Sequence, residues 1–441
     1  MFKHFLLFLI PCASLAQPHI KPEKALDAYL DNGDKTFNYT LKDSGRIGKA
    51  KSYQLLLTSQ QWRNITWRHQ LTVIVPEKID YAGTLLIIAG GSNTNEQPNW
   101  STKDGLWPVA AQIAETNKSV VAILKQTPNQ PLFNGLKEDA LISHTLQQYK
   151  NDGQADWPLL FPMVKSAIRA MDAIQDFTAK SLPVATKDFF IAGASKRGWT
   201  TWLSAASNDP RIKAIGPMVI DMLNMPVSLN NQLKAYGSYS EQIDDYVKLE
   251  IPQSTGSKKG KAVTTMIDPF SYRSRLSVPK MIFIGTNDEY WTVDAIKFYI
   301  DKIPGQTMLH YVPNAGHDLG GGISALQTLG VLYGKMLQSK PYPVLQTTAK
   351  VTEGKVQLKI TAPTSELEEM KVWSATSGTM DFRKQKWSSQ SAGKGQAENT
   401  IVVELPASGY KAFYVDAQYR NPQGIYTSST RMYLLSAKGI E

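Results

Sequence analysis

The chain has 441 residues, 6 histidines, a single cysteine and a formal net charge of +10. A length of this order suggests two or three domains at about 150 residues each, enough to bury a sizeable core without cross-links. Lone-thiol chemistry excludes a disulfide framework, and with no zinc-type Cys/His spacing, P-loop or dinucleotide fingerprint in view, neither metal nor organic cofactor is implied.

In chain order, "MFKHFLLFLIPCASLAQ" reads as a secretory signal over residues 1–16. Lys3 and His4 precede an apolar run from Phe5 to Ile10 that is too short to span a bilayer, and Ser14 and Ala16 supply small residues before the cleavage point. Cys12 lies inside this segment, and Pro11 before it argues against lipidation; the mature chain therefore carries no thiol nucleophile. No later segment is apolar enough to cross a membrane. Positive charge is scattered, and its densest run, "TGSKKGK" at 255–261, reads as a solvated loop, so nucleic acid is not an expected partner.

Residues 17–50 are weakly patterned, after which α/β character begins. "SYQLLLTSQQW" and "HQLTVIVP" read as an antiparallel ribbon, "GTLLIIAGG" (83–91) as a buried strand closed by a glycine pair, and "SVVAIL" (119–124) as another strand. Between Glu138 and Lys180 the period becomes helical, with Met163, Ala167, Met171, Ile174 and Phe177 forming one apolar stripe. Then come "DFFIAGA", a helix from about Arg197, "AIGPMVID", "PKMIFIG", a helix around "VDAIKFYIDKI", "TMLHYVPNAGH" and a helix around "ISALQTLGVLYGKML". Such alternation implies parallel strands with helices on both faces, and a site beyond the strands' carboxyl ends. Residues 222–277 are far longer than a crossover needs and read as a cap. Near Tyr342 the pattern changes to short strands of period two, predicting an immunoglobulin-like β-sandwich over 345–441 after a main domain at 17–341.

The chemistry-bearing residues fall at strand ends. In "FFIAGASKRGWTTW", Ser195 sits where a strand turns into a helix, as a nucleophile elbow requires, although Arg197 stands where G-x-S-x-G has its second glycine. A capping serine is the plain alternative. Asp288 follows the strand "PKMIFIG" and His317 follows "MLHYVPNAG", giving the order Ser, Asp, His. Serine is a weak nucleophile, so His317 takes its proton and Asp288 orients the imidazole; Glu289 and Asp221 are rivals for the acid role. The oxyanion is assigned to the backbone N–H of Lys196 and to the loop carrying Gly90, Gly91 and Ser92. Trp199 and Trp202 read as core residues with a secondary reading as pocket walls.

Six ordered blocks, "LLIIAGGSN", "WPLLFPMVKSAIRAMDAIQDF", "GASKRGWTTW", "PMVIDMLNM", "DPFSYRSRL" and "YVPNAGH", resemble the PhoPQ-activated pathogenicity-related proteins over nearly the whole mature chain. The resemblance implies an exported protein with an α/β-hydrolase fold and carries the three roles onto Ser195, Asp288 and His317. It implies no particular substrate. The elbow is also similar to that of glucuronoyl esterases, which keeps carbohydrate esters open. The sequence is thus expected to encode an exported, periplasmic or secreted serine hydrolase without a cofactor, acting on a small-molecule, peptide or carbohydrate ester. An esterase is favoured over a peptidase. A non-catalytic envelope or adhesion protein on the same fold, using the C-terminal module for surface contact, is the alternative from another class.

Overall fold

The computed structural model describes residues 20–441 apart from 103, 104 and 395; the signal segment with Cys12 lies outside the described residues. A single twisted sheet runs through the molecule. Its first three strands, β1 (Asn38–Ile47), β2 (Ala50–Trp62) and β3 (Ile65–Val75), are antiparallel. β1 was not legible in the sequence: it is an edge strand, exposed along almost its whole length, with no apolar alternation.

The rest of the core sheet is parallel: β4 (Gly83–Ile88), β5 (Val120–Leu124), β6 (Asp188–Ala194), β7 (Ile212–Met218), β8 (Lys280–Gly285) and β9 (Thr307–Val312), in the order β3-β5-β4-β6-β7-β8-β9. The chain crosses from β4 to β5 on one side and returns to β6 on the other, so the direction of winding reverses between β4 and β6. A crevice opens at the carboxyl ends there. β4 to β8 are buried on both faces, hence their near-continuous apolar sequences.

Two helical layers cover the sheet. α1 (Leu106–Asn117) and a C-terminal helix at Ile323–Leu337 pack on one face, where Trp107, Phe190, Leu329 and Tyr333 share a core. On the other face lie α2 (Glu138–Asp152), α3 (Leu160–Ser181) and α4 (Lys196–Ala206). The predicted stripe of Met163, Ala167, Met171, Ile174 and Phe177 is buried there. Burying the Met, Ile and Phe members contributes roughly 1.5–3 kcal/mol each before entropy is counted.

Two helical readings are corrected. The run 255–261, which reads as a lysine-bearing loop, instead leads into a helix, α6 (Lys258–Ile267), because the Ser257 hydroxyl accepts the Gly260 N–H and caps it. The segment around "VDAIKFYIDKI" forms only 3₁₀ turns at Ala295–Phe298 and Ile300–Lys302. There the Phe298 carbonyl accepts from the Asn224 side chain and Tyr299 bonds Asp221, which ties the turns to neighbouring loops instead of a helical ladder. Between β7 and β8, the long connection contains α5 (Met225–Tyr236) ahead of α6 and packs over the crevice.

The C-terminal strands form a sandwich. Strands at Gln346–Thr352, Lys355–Thr361 and Glu398–Glu404 make one sheet, and Val356, Leu358 and Ile360 alternate inward against Phe413, Val415 and Ala417 of the other. That second sheet continues the central one, since the strand Gly424–Ser429 pairs antiparallel with β9 at Leu309 and Ser429. Phe382, Trp387, Tyr414 and Met432 belong to the same apolar cluster as α3 and α4.

Candidate active site

Ser195 stands between β6 and α4 at φ 57° and ψ −123°, a backbone conformation that costs an L-residue about 1–3 kcal/mol. Tight crossing enforces it. A Cβ on Gly193 would lie 2.7 Å from the Arg197 carbonyl oxygen, and one on Gly198 would lie 2.7 Å from that of Met218. Gly198 therefore supplies, one residue later, the close approach for which G-x-S-x-G uses its second glycine. Position 197 is free to carry a side chain. The Ser195 N–H donates to Met218 O (2.9 Å), and its own carbonyl accepts from Trp199 N (2.9 Å), which fixes the turn.

His317 follows β9 and Asp288 follows β8. The Nδ1 of His317 lies 3.1 and 3.0 Å from the two carboxylate oxygens of Asp288, while its Nε2 is buried without a hydrogen-bond partner among the described residues. Tyr290 stacks on the imidazole at 4.0 Å, and its N–H donates to Asp288 Oδ1. Burial raises the Asp288 pKa, opposed by the hydrogen bond and charge of His317. Neither rival meets the imidazole ring. Glu289 accepts the backbone N–H of His317 (3.0 Å) and so shapes the loop. Asp221 accepts from Tyr299 Oη (2.7 Å), and burial lifts its pKa to about 8 despite that bond, leaving it neutral near pH 7.

The loop after β4 faces α4. Lys196 opens that helix, so its N–H has no intrahelical acceptor. Gly91 adopts φ +145°, a conformation open to glycine, and Ser92 Oγ accepts from Asn99. The Arg197 side chain, noted in the sequence only as a departure, braces this loop. It pairs bidentately with Glu138 (2.7 and 2.7 Å) and donates to Thr127 O (2.6 Å); a Cβ on Gly90 would be 2.7 Å from its guanidinium. Gln130 bridges Glu138 and the Gly91 carbonyl. Burial works to raise the Glu138 pKa, but the hydrogen bonds and charge of Arg197 outweigh it and hold it at about 2. Lys196 is paired in turn with Asp139 (2.7 Å), which also accepts from Tyr246.

The loops that carry Asp288 and His317 both rest on the C-terminal loop between the strands Leu367–Ser377 and Ser388–Ser391. Asn287 donates to the carbonyls of Phe382, Arg383 and Gln385, and Asn314 exchanges two hydrogen bonds with the Trp387 backbone. These contacts join residues 73 to 98 positions apart and have no local sequence signal. Among the described residues no cluster of His, Cys, Asp and Glu is placed to hold a metal ion.

A strained serine at the reversal of a parallel sheet, with an aspartate and a histidine after later strands, defines an α/β-hydrolase fold. The chain belongs to the PhoPQ-activated pathogenicity-related protein family, which matches residues 26–383. It is similar to autocrine proliferation repressor protein A of Dictyostelium discoideum, 29% identical over 428 residues, covering 89% of this chain and 85% of that protein. Among solved structures, acetyl xylan esterase 1 from Thermoanaerobacterium is 19% identical with a TM-score of 0.49, covering 71% of this chain and 95% of that one. Glucuronoyl esterase from Solibacter usitatus is 12% identical with a TM-score of 0.41, covering 76% and 98%. Likenesses this remote say nothing of what this chain acts on. No helix among the described residues is long and apolar enough to cross a membrane.

Proposed function

We propose that the protein is an exported serine hydrolase that cleaves an ester through an acyl-enzyme. The observation that carries this reading is the His317 ring, anchored to Asp288 by Nδ1 and with a buried, unpartnered Nε2. In the proposed reaction Nε2 takes the Ser195 proton as Oγ attacks the ester carbonyl. The resulting imidazolium is stabilised by Asp288 and returns the proton to the leaving alcohol. The N–H of Lys196 and one from Gly91 or Ser92 hold the oxyanion, and water reverses the sequence to release the acid. Export rests on the signal segment at 1–16. Treating the purified protein with a fluorophosphonate and locating the adduct by mass spectrometry tests the assignment; a modified Ser195 is expected, and absence of any adduct contradicts it.

The similarity to a protein named as an autocrine proliferation repressor favours a second reading, a secreted signalling protein whose effect needs no turnover. A Ser195→Ala protein that kept full biological effect would favour it.

A further inference from the structure

A pocket lined both by Ser195 and by residues of the segment 222–277 holds about 770 Å³ of empty space, the open solvent at its mouth included. Ser195 and Lys196 lie in its wall, as does Tyr290, whose ring stacks on His317. Its lining is mostly apolar, with Trp199, Met225, Leu229, Ile243, Val263 and Trp291 among the contributors. The polar groups in that wall are largely committed elsewhere. Lys196 and Tyr246 both bond Asp139; Gln232 donates to Tyr290 O and accepts from Ser240 N. Ser228 donates to Leu223 O, and the indole N–H of Trp199 to Ile267 O.

We infer that this pocket receives the acyl chain of the substrate and that the chain is aliphatic. The inference rests on the proposed esterase reading and adds the substrate class to it. A sugar placed here would surrender its hydroxyl hydration to a wall that is mostly apolar and whose polar groups are largely paired already, so few contacts would offset the cost. An alkyl chain loses nothing polar and gains burial against Met, Leu and Ile side chains. Carbohydrate, where it enters the reaction, belongs on the alcohol side, outside the pocket.

Two measurements test this separately from the reading it rests on. In the first, kcat/KM of the full-length enzyme is measured on p-nitrophenyl esters from acetate to decanoate, beside a series of alkyl acetates. Each added acyl methylene is expected to raise kcat/KM about threefold to fourfold until the pocket is filled, the gain for burying one CH₂. The alkyl acetates are expected to stay within about threefold of one another. Leu229→Phe, which shortens the pocket, is expected to lower the octanoate-to-acetate ratio about tenfold, the equivalent of two lost methylenes. A maximum at acetate, or a gain confined to the alcohol series, overturns the inference.

The second needs no turnover. In Ser195→Ala protein a long brominated alkanol is expected to quench fluorescence saturably, because Trp199 and Trp291 line the pocket, and Trp199→Phe with Trp291→Phe should remove that component. No saturable quenching overturns the pocket assignment. Saturable quenching in a protein whose wild type hydrolyses no ester keeps the apolar site and overturns the esterase reading instead.

Discussion

His317 presents Nδ1 to both oxygens of Asp288, at 3.1 and 3.0 Å, and its Nε2 is buried without a partner among the described residues. Burying an imidazole nitrogen unpaired costs free energy, and in the proposed reaction this nitrogen is the acceptor that takes the Ser195 proton.

Ser195→Ala is expected to abolish fluorophosphonate labelling and to lower ester turnover by about 10⁴ to 10⁶ while circular dichroism and melting temperature stay near wild type. Retention of more than a tenth of the wild-type rate would remove Ser195 from the nucleophile role.

Among the carboxylates, Asp288→Asn is expected to lower kcat by about 10³ to 10⁴, because the amide favours the wrong imidazole tautomer. Glu289→Gln and Asp221→Asn should cost far less, since one meets only the His317 backbone and the other Tyr299. If Asp221→Asn proved the more severe, the acid would move one strand earlier.

Asp221 also gives a stability signature. Its folded pKa of about 8 stands above the ordinary 3.8, so the folded state holds a proton that the unfolded chain has released. Stability conferred at low pH is therefore lost as pH rises from about 4 to 8. Asp221→Asn is expected to flatten the melting temperature over that window; an unchanged slope would contradict a neutral Asp221.

Glu138 works in the opposite sense. Its pKa falls from 4.5 to about 2 in the fold, so its contribution is present above pH 4.5 and disappears as pH drops toward 2. Chemical denaturation of Glu138→Gln across that range should show a shallower acid loss than wild type. At pH 7 the same variant is expected to lower kcat about tenfold or more, with KM changed less, because the oxyanion loop loses its brace on Arg197. Equal loss in kcat and in folding stability of all variants would mean a structural role alone.

The C-terminal loop around Phe382 and Trp387 is proposed to be part of the catalytic frame. Asn287→Ala removes the three carbonyl contacts that seat the loop before Asp288, and kcat should fall by up to about 10²-fold through misplacement of the acid. Expressing residues 17–340 alone exposes the apolar surface now covered by Phe382, Trp387 and Tyr414, so aggregation is expected. A monodisperse, fully active fragment would refute this and leave an independent binding module.

By itself the sequence determined the α/β alternation, the apolar strands and the chain positions of Ser195, Asp288 and His317, because strand burial and strand-end placement are local properties written at period two or in short runs. It also carried the sandwich, whose strands such as Lys355–Thr361 alternate cleanly. What it could not carry were relations between residues far apart along the chain. Arg197 reads as a flaw in the elbow until Glu138 and Gly90 are brought against it, and Asn287 reads as a turn residue until the backbone near Phe382 arrives. Edge strand β1 and the 3₁₀ turns after β8 were missed for the same reason: their form is decided by partners, the β2 ladder in one case and Asn224 and Asp221 in the other. The place of Asp288 directly after its strand already favoured it over Asp221 and Glu289 in the sequence; the tertiary fold adds the contacts, with the imidazole reaching Asp288, Glu289 meeting only the His317 backbone and Asp221 buried against Tyr299.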